Sequence, residues 1–112
     1  MYFSKIKAFV KRGKRGKPLQ DHMEKDMRRM VGNFRALKSS HPTSVKGLHD
    51  KWRTLKDLQE DLGAMNDMYE SLMKQPSSVF LICRDELSTL DDVERKSFKA
   101  FAEAYEVSGS CI

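Results

Sequence analysis

A chain of 112 residues, 33% charged and 39% hydrophobic, has the composition of one small globular domain rather than of a disordered segment. No apolar run approaches the roughly 18 residues of a membrane span, and no hydrophobic signal-peptide core follows the start. The expectation is therefore a soluble, cytoplasmic protein without a transmembrane segment. The net charge of +5 conceals an asymmetry, because residues 1–38 hold twelve Lys/Arg against three Asp/Glu and the remainder nine against thirteen.

In chain order, residues 1–17 read as a basic N-terminal tail carrying seven of those cations. Tyr2, Phe3, Ile6, Phe9 and Val10 can form one side of a short amphipathic helix, with Lys5, Lys7 and Lys11 on the other. A disordered tail is the equal alternative, since the two glycines and five like charges of Lys11–Lys17 oppose regular structure. Such a segment can also lie on an anionic membrane surface, although ten residues bind weakly alone.

Pro18 suits the first turn of a helix, where its missing N–H is not needed. From there Leu19, Met23, Met27, Met30, Val31, Phe34 and Leu37 follow a 3.6-residue period, ended by Ser39-Ser40-His41-Pro42. Thr43 or Ser44 can cap the next helix. Its apolar positions Leu48, Trp52, Leu55, Leu58, Leu62, Met65, Tyr69 and Leu72 are spaced by three and four up to Gln75-Pro76. The run VFLICRDELSTL suits a buried strand or a buried helix by pattern. Helix is preferred, because no second strand exists for it to pair with. Asp91 with Glu94 reads as a capping box for a last helix that buries Phe98, Phe101, Ala102 and Tyr105. These elements predict an all-α fold, an up-and-down antiparallel bundle of about four helices over residues 18–106, followed by a loose tail over 107–112.

Chemistry is sparse in this sequence. His22, Lys25 and Arg29 share one flank of the first long helix, and His49, Arg53 and Lys56 share one flank of the second, with Lys46 nearby. Antiparallel packing could join these flanks into a basic groove that cradles phosphates. The plainer alternative is two solvated helix faces. His22, His41 and His49 lack the spacing of a metal site, and the adjacent acidic pairs Asp85-Glu86 and Asp91-Asp92 point to different helix sides. Cys83 sits in an apolar run that should raise its pKa, and Cys111 lies in a polar tail. No enzyme activity, metal or cofactor is expected.

The helix containing Lys56, Leu58, Gln59, Leu62, Gly63, Asn66 and Asp67 resembles the signature Lys-x-Leu-Gln-x-x-Leu-Gly-x-x-Asn-Asp of the CHAD family, the conserved-histidine α-helical domain. His22 with Lys25 and Arg29 stands where that family has its histidine and basic companions. Where the family continues with a further Arg and an aromatic, this chain has Gly32, Asn33 and Phe34. The resemblance covers residues 19–105 and corresponds to a single half, the second, of a usual tandem domain. It implies a non-enzymatic module binding inorganic polyphosphate. His22, Lys25, Arg29, Arg53 and Lys56 would contact phosphates, while Lys11, Arg12, Lys14, Arg15 and Lys17 extend the field. It also implies that Gly63 packs closely between helices. A complete channel would then require a homodimer or a partner supplying the other half. Non-specific nucleic-acid binding through the basic tail, and a dimerising scaffold without a phosphate ligand, are the competing readings.

Overall fold

The computed structural model describes residues 2–13 and 15–110, with side chains described as far as Ala104. Expectations attached to Lys14, Cys111 and the Tyr105 side chain fall outside these bounds. The described chain is all-helical, with the four helices expected after the N-terminal segment and a fifth, α1, within it: α1 (Tyr2–Lys11), α2 (Lys17–Lys38), α3 (Val45–Met73), α4 (Ser78–Ser88) and α5 (Leu90–Ser110).

Local chemistry explains most boundaries. Gly13 and Gly16 take positive φ angles of 78° and 67°, a region that costs other residues strain, and they reverse the chain between α1 and α2. Pro18 falls in the first turn of α2. Ser44 caps α3, its hydroxyl accepting from the Gly47 N–H at 3.0 Å, and Lys74 closes that helix in the left-handed conformation. Ser77 caps α4 by accepting from the Val79 N–H at 3.2 Å. The expected Asp91 cap is displaced: α5 already starts at Leu90, so Asp91 and Asp92 lie in its first turn, where carboxylates complement the helix dipole. Glu94 serves no capping box and instead pairs with Lys56.

Cross-helix pairs fix the directions. Tyr69 donates to Glu24 at 2.9 Å and Lys51 to the Ser40 carbonyl at 2.8 Å, so α2 and α3 are antiparallel. Lys5 beside Asp26 and Phe9 stacked on His22 set α1 antiparallel to α2. Asn66 opposite Ser77, Gln59 opposite Leu87 and Lys56 opposite Glu94 run α4 and then α5 antiparallel to α3 in succession. Helices α4 and α5 are thus one rod interrupted at Thr89. The break falls two residues before the Asp91 cap expected from the sequence, and no Gly or Pro stands at it. The molecule extends 66 × 22 × 16 Å with a radius of gyration of 18.0 Å, well above the ~13 Å of a compact 100-residue domain.

The main core joins Met27, Val31 and Phe34 of α2 to Leu48, Trp52, Leu55, Leu62 and Met65 of α3, with Val79, Cys83 and Leu87 of α4 and Leu90 closing it. A smaller cluster of Ile6, Leu19, Met23 and Tyr69 seats α1. Of the apolar side of α1, Ile6 is buried, Tyr2, Phe9 and Val10 pack partly, and Phe3 stays exposed. Leu72, assigned to the α3 stripe by spacing, is 44% exposed instead. It lies in the last turn of α3, one position off the line that Tyr69 continues inward. None of the helices is long and apolar enough to cross a membrane, among the described residues.

Gly63 departs from its expected role. A Cβ at this position would meet nothing within 4 Å, so no neighbouring helix approaches the backbone there. The glycine opens instead onto a shallow recess of about 300 Å³ whose opposite wall includes Phe80, Arg84 and Leu87 of α4. Without a steric reason for glycine, its backbone entropy is simply unfavourable in a helix interior. Gly63→Ala is expected to raise the free energy of unfolding by about 0.5–1 kcal/mol and Tm by roughly 4 °C in a thermal melt followed by circular dichroism. A loss of stability would show that α4 approaches more closely than the structure indicates.

Candidate anion-binding site

Two groups of basic residues identified in the sequence lie on the two long helices, and most of their members are already engaged, Lys25 and Lys46 excepted. Asp26, only 6% exposed, stands one turn from His22 on α2 and draws in the surrounding cations. Arg29 donates to it at 3.1 Å, Lys5 reaches across from α1 to 3.4 Å, and His22 Nε2 lies 3.4 Å away. The imidazole also stacks on Phe9, with ring centroids 4.3 Å apart and planes at 17°. Tyr2 joins the cluster through the field of Asp26; burial, foremost, pushes its phenol above the ordinary range, and the carboxylate adds to this. A carboxylate buried this far survives only with compensation, and Lys5 and Arg29 supply it. Asp26 thereby fastens α1 onto α2. Nothing in the expected basic flank anticipated this internal anion, although its spacing of three and four residues from Arg29 and His22 is legible in retrospect.

The second group is tied down at the other end. Lys56 donates to Glu94 of α5 at 2.7 Å, and that hydrogen bond raises its pKa. Arg53 is 3.9 Å from Asp50, and His49 rests against Phe98 with ring centroids 4.9 Å apart. Register separates the two groups further. With Glu24 opposite Tyr69 and Ser40 opposite Lys51, Arg29 stands opposite residue 63 or so. Arg53 is then roughly 15 Å along the axis from Arg29, and His22 roughly 25 Å from Arg53, at 1.5 Å per residue. Antiparallel packing is present, yet it does not bring the flanks into one groove.

Exposed cations without a carboxylate partner are found elsewhere. Among the described residues, Lys7, Lys11, Arg12, Arg15 and Lys25 make no ion pair, nor do Lys46, Lys74, Arg84, Lys96 and Lys99, which are scattered over the other helices; Lys17 pairs with Asp21 at 3.3 Å. Arg12 lies over the Phe9 ring, 5.8 Å from its centroid, which holds it beside His22. Of these, Lys7, Lys11, Arg12 and Arg15 follow one another along α1 and the glycine turn, at one corner of the molecule. Lys14 belongs to the same stretch of sequence and lies outside the described residues.

No family model, curated protein or solved structure matches the chain. Assignment of roles therefore rests on geometry.

The remaining signature residues are accounted for structurally. Gln59 donates to the Leu87 carbonyl at 2.6 Å, and Asn66 accepts from the Ser77 N–H at 3.2 Å. Seven residues apart on one face of α3, they hold the two ends of α4. Asp67 is exposed and faces α1. Lys51, which carried no expectation, is 9% exposed; burial lowers its pKa, and its ammonium caps the chain end of α2 at Ser40. Cys83 is buried, and burial, foremost, raises its thiol pKa, as its apolar sequence context predicts. No group of three or more His, Cys, Asp or Glu is arranged to hold a metal ion among the described residues.

The Asp26 cluster gives a test that separates structural from ligand-binding roles. Asp26→Asn removes the shared anion of Lys5, His22 and Arg29. Unfolding free energy should fall by about 1–2 kcal/mol, the scale of a lost charge-assisted hydrogen bond. Affinity for an added polyanion should rise at low salt, because Lys5 and Arg29 lose their internal competitor.

Proposed function

We propose that this chain is a non-enzymatic polyanion-binding module whose ligand is inorganic polyphosphate. The observation that carries this reading is the corner formed by α1, the glycine turn and the start of α2. There Lys7, Lys11, Arg12 and Arg15 stand exposed without carboxylate partners among the described residues. Exposed cations at several successive turns interact with a repeating anion additively and in a salt-sensitive way. The resemblance of the Lys56–Asp67 helix to the CHAD signature is consistent with polyphosphate as the ligand. The geometry moves the weight of binding away from Arg53 and Lys56, which are engaged by Asp50 and Glu94. His22 and Arg29 contribute by lying next to the corner, in competition with Asp26.

Non-specific nucleic-acid binding would use the same corner. The α2 face beyond the corner offers no row of Asn, Gln and Arg at base-reading spacing, so any such binding would read phosphate alone. Competition decides between the two. At equal phosphate concentration, long-chain polyphosphate should displace a fluorescent DNA duplex, and the duplex should fail to displace polyphosphate. The reverse order would make nucleic acid the ligand.

A further inference from the structure

Helix α1 closes against α3 along its inner edge only. Ile6 is buried there, but Phe3 remains 64% exposed and Leu72 of α3 44% exposed. An open groove of about 660 Å³ runs between them, floored by Phe3, Ile6 and Val10 of α1 and by Ala64, Met68 and Leu72 of α3. Both helices are antiparallel to α2 and hence parallel to each other, so the groove is graded along its length. Phe3 and Ala64 lie at one end; Lys11, Arg15 and Leu72 lie at the other, with Lys7 between. None of these three cations has a carboxylate partner among the described residues, and Asp67 is the one carboxylate on the wall.

This volume is in the range of small-molecule sites, which combine a mostly apolar lining with a few placed polar groups. Charge complementarity selects the occupant. An acidic amphipathic helix would need cations along both walls, whereas the α3 wall supplies Asp67 and Ser71 and no cation. A flat bilayer surface would meet a concave floor poorly. An extended apolar chain with a single anionic head satisfies both ends. We propose that the α1–α3 groove binds a single-chain anionic amphiphile of the long-chain carboxylate class, its tail against Phe3, Ile6 and Met68 and its head at Lys11 and Arg15. This inference does not rest on polyphosphate being a ligand, although the two anions would share Lys11 and Arg15.

Calorimetric titration of the full chain with dodecanoate, below its micelle-forming concentration, tests the proposal. Saturable binding is expected, at least tenfold tighter than that of dodecyltrimethylammonium, which has the same tail and the opposite head. Lys11→Gln with Arg15→Gln should weaken dodecanoate about three- to tenfold, the range for two exposed ion pairs. Ala64→Trp, at an exposed position, should fill the tail end and weaken dodecanoate at least tenfold while leaving polyphosphate binding unchanged. Should that variant melt abnormally, Phe3→Ser gives the same readout with the 64%-exposed Phe3. Lack of saturable heat, equal affinity for both head charges, unchanged binding by the tail-end variants, or association only with phosphatidylserine vesicles would each overturn it.

Discussion

Trp52→Ala should lower the free energy of unfolding by about 3–5 kcal/mol, the range for truncating a buried aromatic. Trp52 is 2% exposed and sits in the cluster to which α2, α3, α4 and the start of α5 all contribute. Its removal leaves a void bordered by several rods, and side chains on stacked helices can collapse into such a void only partly. Natural domains hold about 5–15 kcal/mol in total, so this one change would consume much of the fold's stability. Trp52→Phe should cost less than half as much. Its indole N–H is buried without an acceptor among the described residues, and phenylalanine removes that unsatisfied donor while retaining most of the apolar surface. Urea unfolding followed by circular dichroism reads both variants. Equal losses for Phe and Ala would mean that the N–H has a partner the structure lacks.

The second large effect concerns binding. Replacing Lys7, Lys11, Arg12 and Arg15 together with Gln should lower polyphosphate affinity by about ten- to a hundredfold at low salt. The slope of log affinity against log salt should also fall by up to about 3, since each contacted phosphate of a single-stranded polyanion contributes roughly 0.7. The side chains are exposed, and no carboxylate pairs with them among the described residues, so helix content should be unaffected. Arg29→Gln, Arg53→Gln and Lys56→Gln combined should cost clearly less, because Asp26, Asp50 and Glu94 already engage those three. Fluorescence anisotropy over a salt series measures both sets. A larger loss from the second set would restore the groove between α2 and α3 that spacing alone suggested.

Much of the fold was legible because the two long helices carry unbroken three-and-four spacing. Leu19 to Leu37 and Leu48 to Tyr69 define α2 and α3, and Pro18 and Ser44 mark their starts. The change of helix near Thr89 was legible from the Asp91-Glu94 pattern, but its sharpness was not: α5 starts at Leu90 without a connecting loop, and neither Gly nor Pro stands there. Gly63 misled for a related reason. A glycine in a helical stripe signals close approach, yet the space beside it is open. The candidate site was legible as composition and not as geometry. Spacing places His22 and Arg29 on one flank, but which carboxylate they meet depends on how α1 folds back over Gly13 and Gly16. Likewise, pairing α2 with α3 says nothing of register, and register is what holds Arg29 and Arg53 apart.

Titration of the full chain with long-chain polyphosphate at increasing ionic strength decides whether the α1 corner binds a polyanion. Saturable binding is expected at low salt, weakening steeply and linearly on a double-logarithmic plot, with mono-phosphate failing to compete. Absence of binding at low ionic strength, or an affinity indifferent to salt, would contradict a polyanion site at that corner.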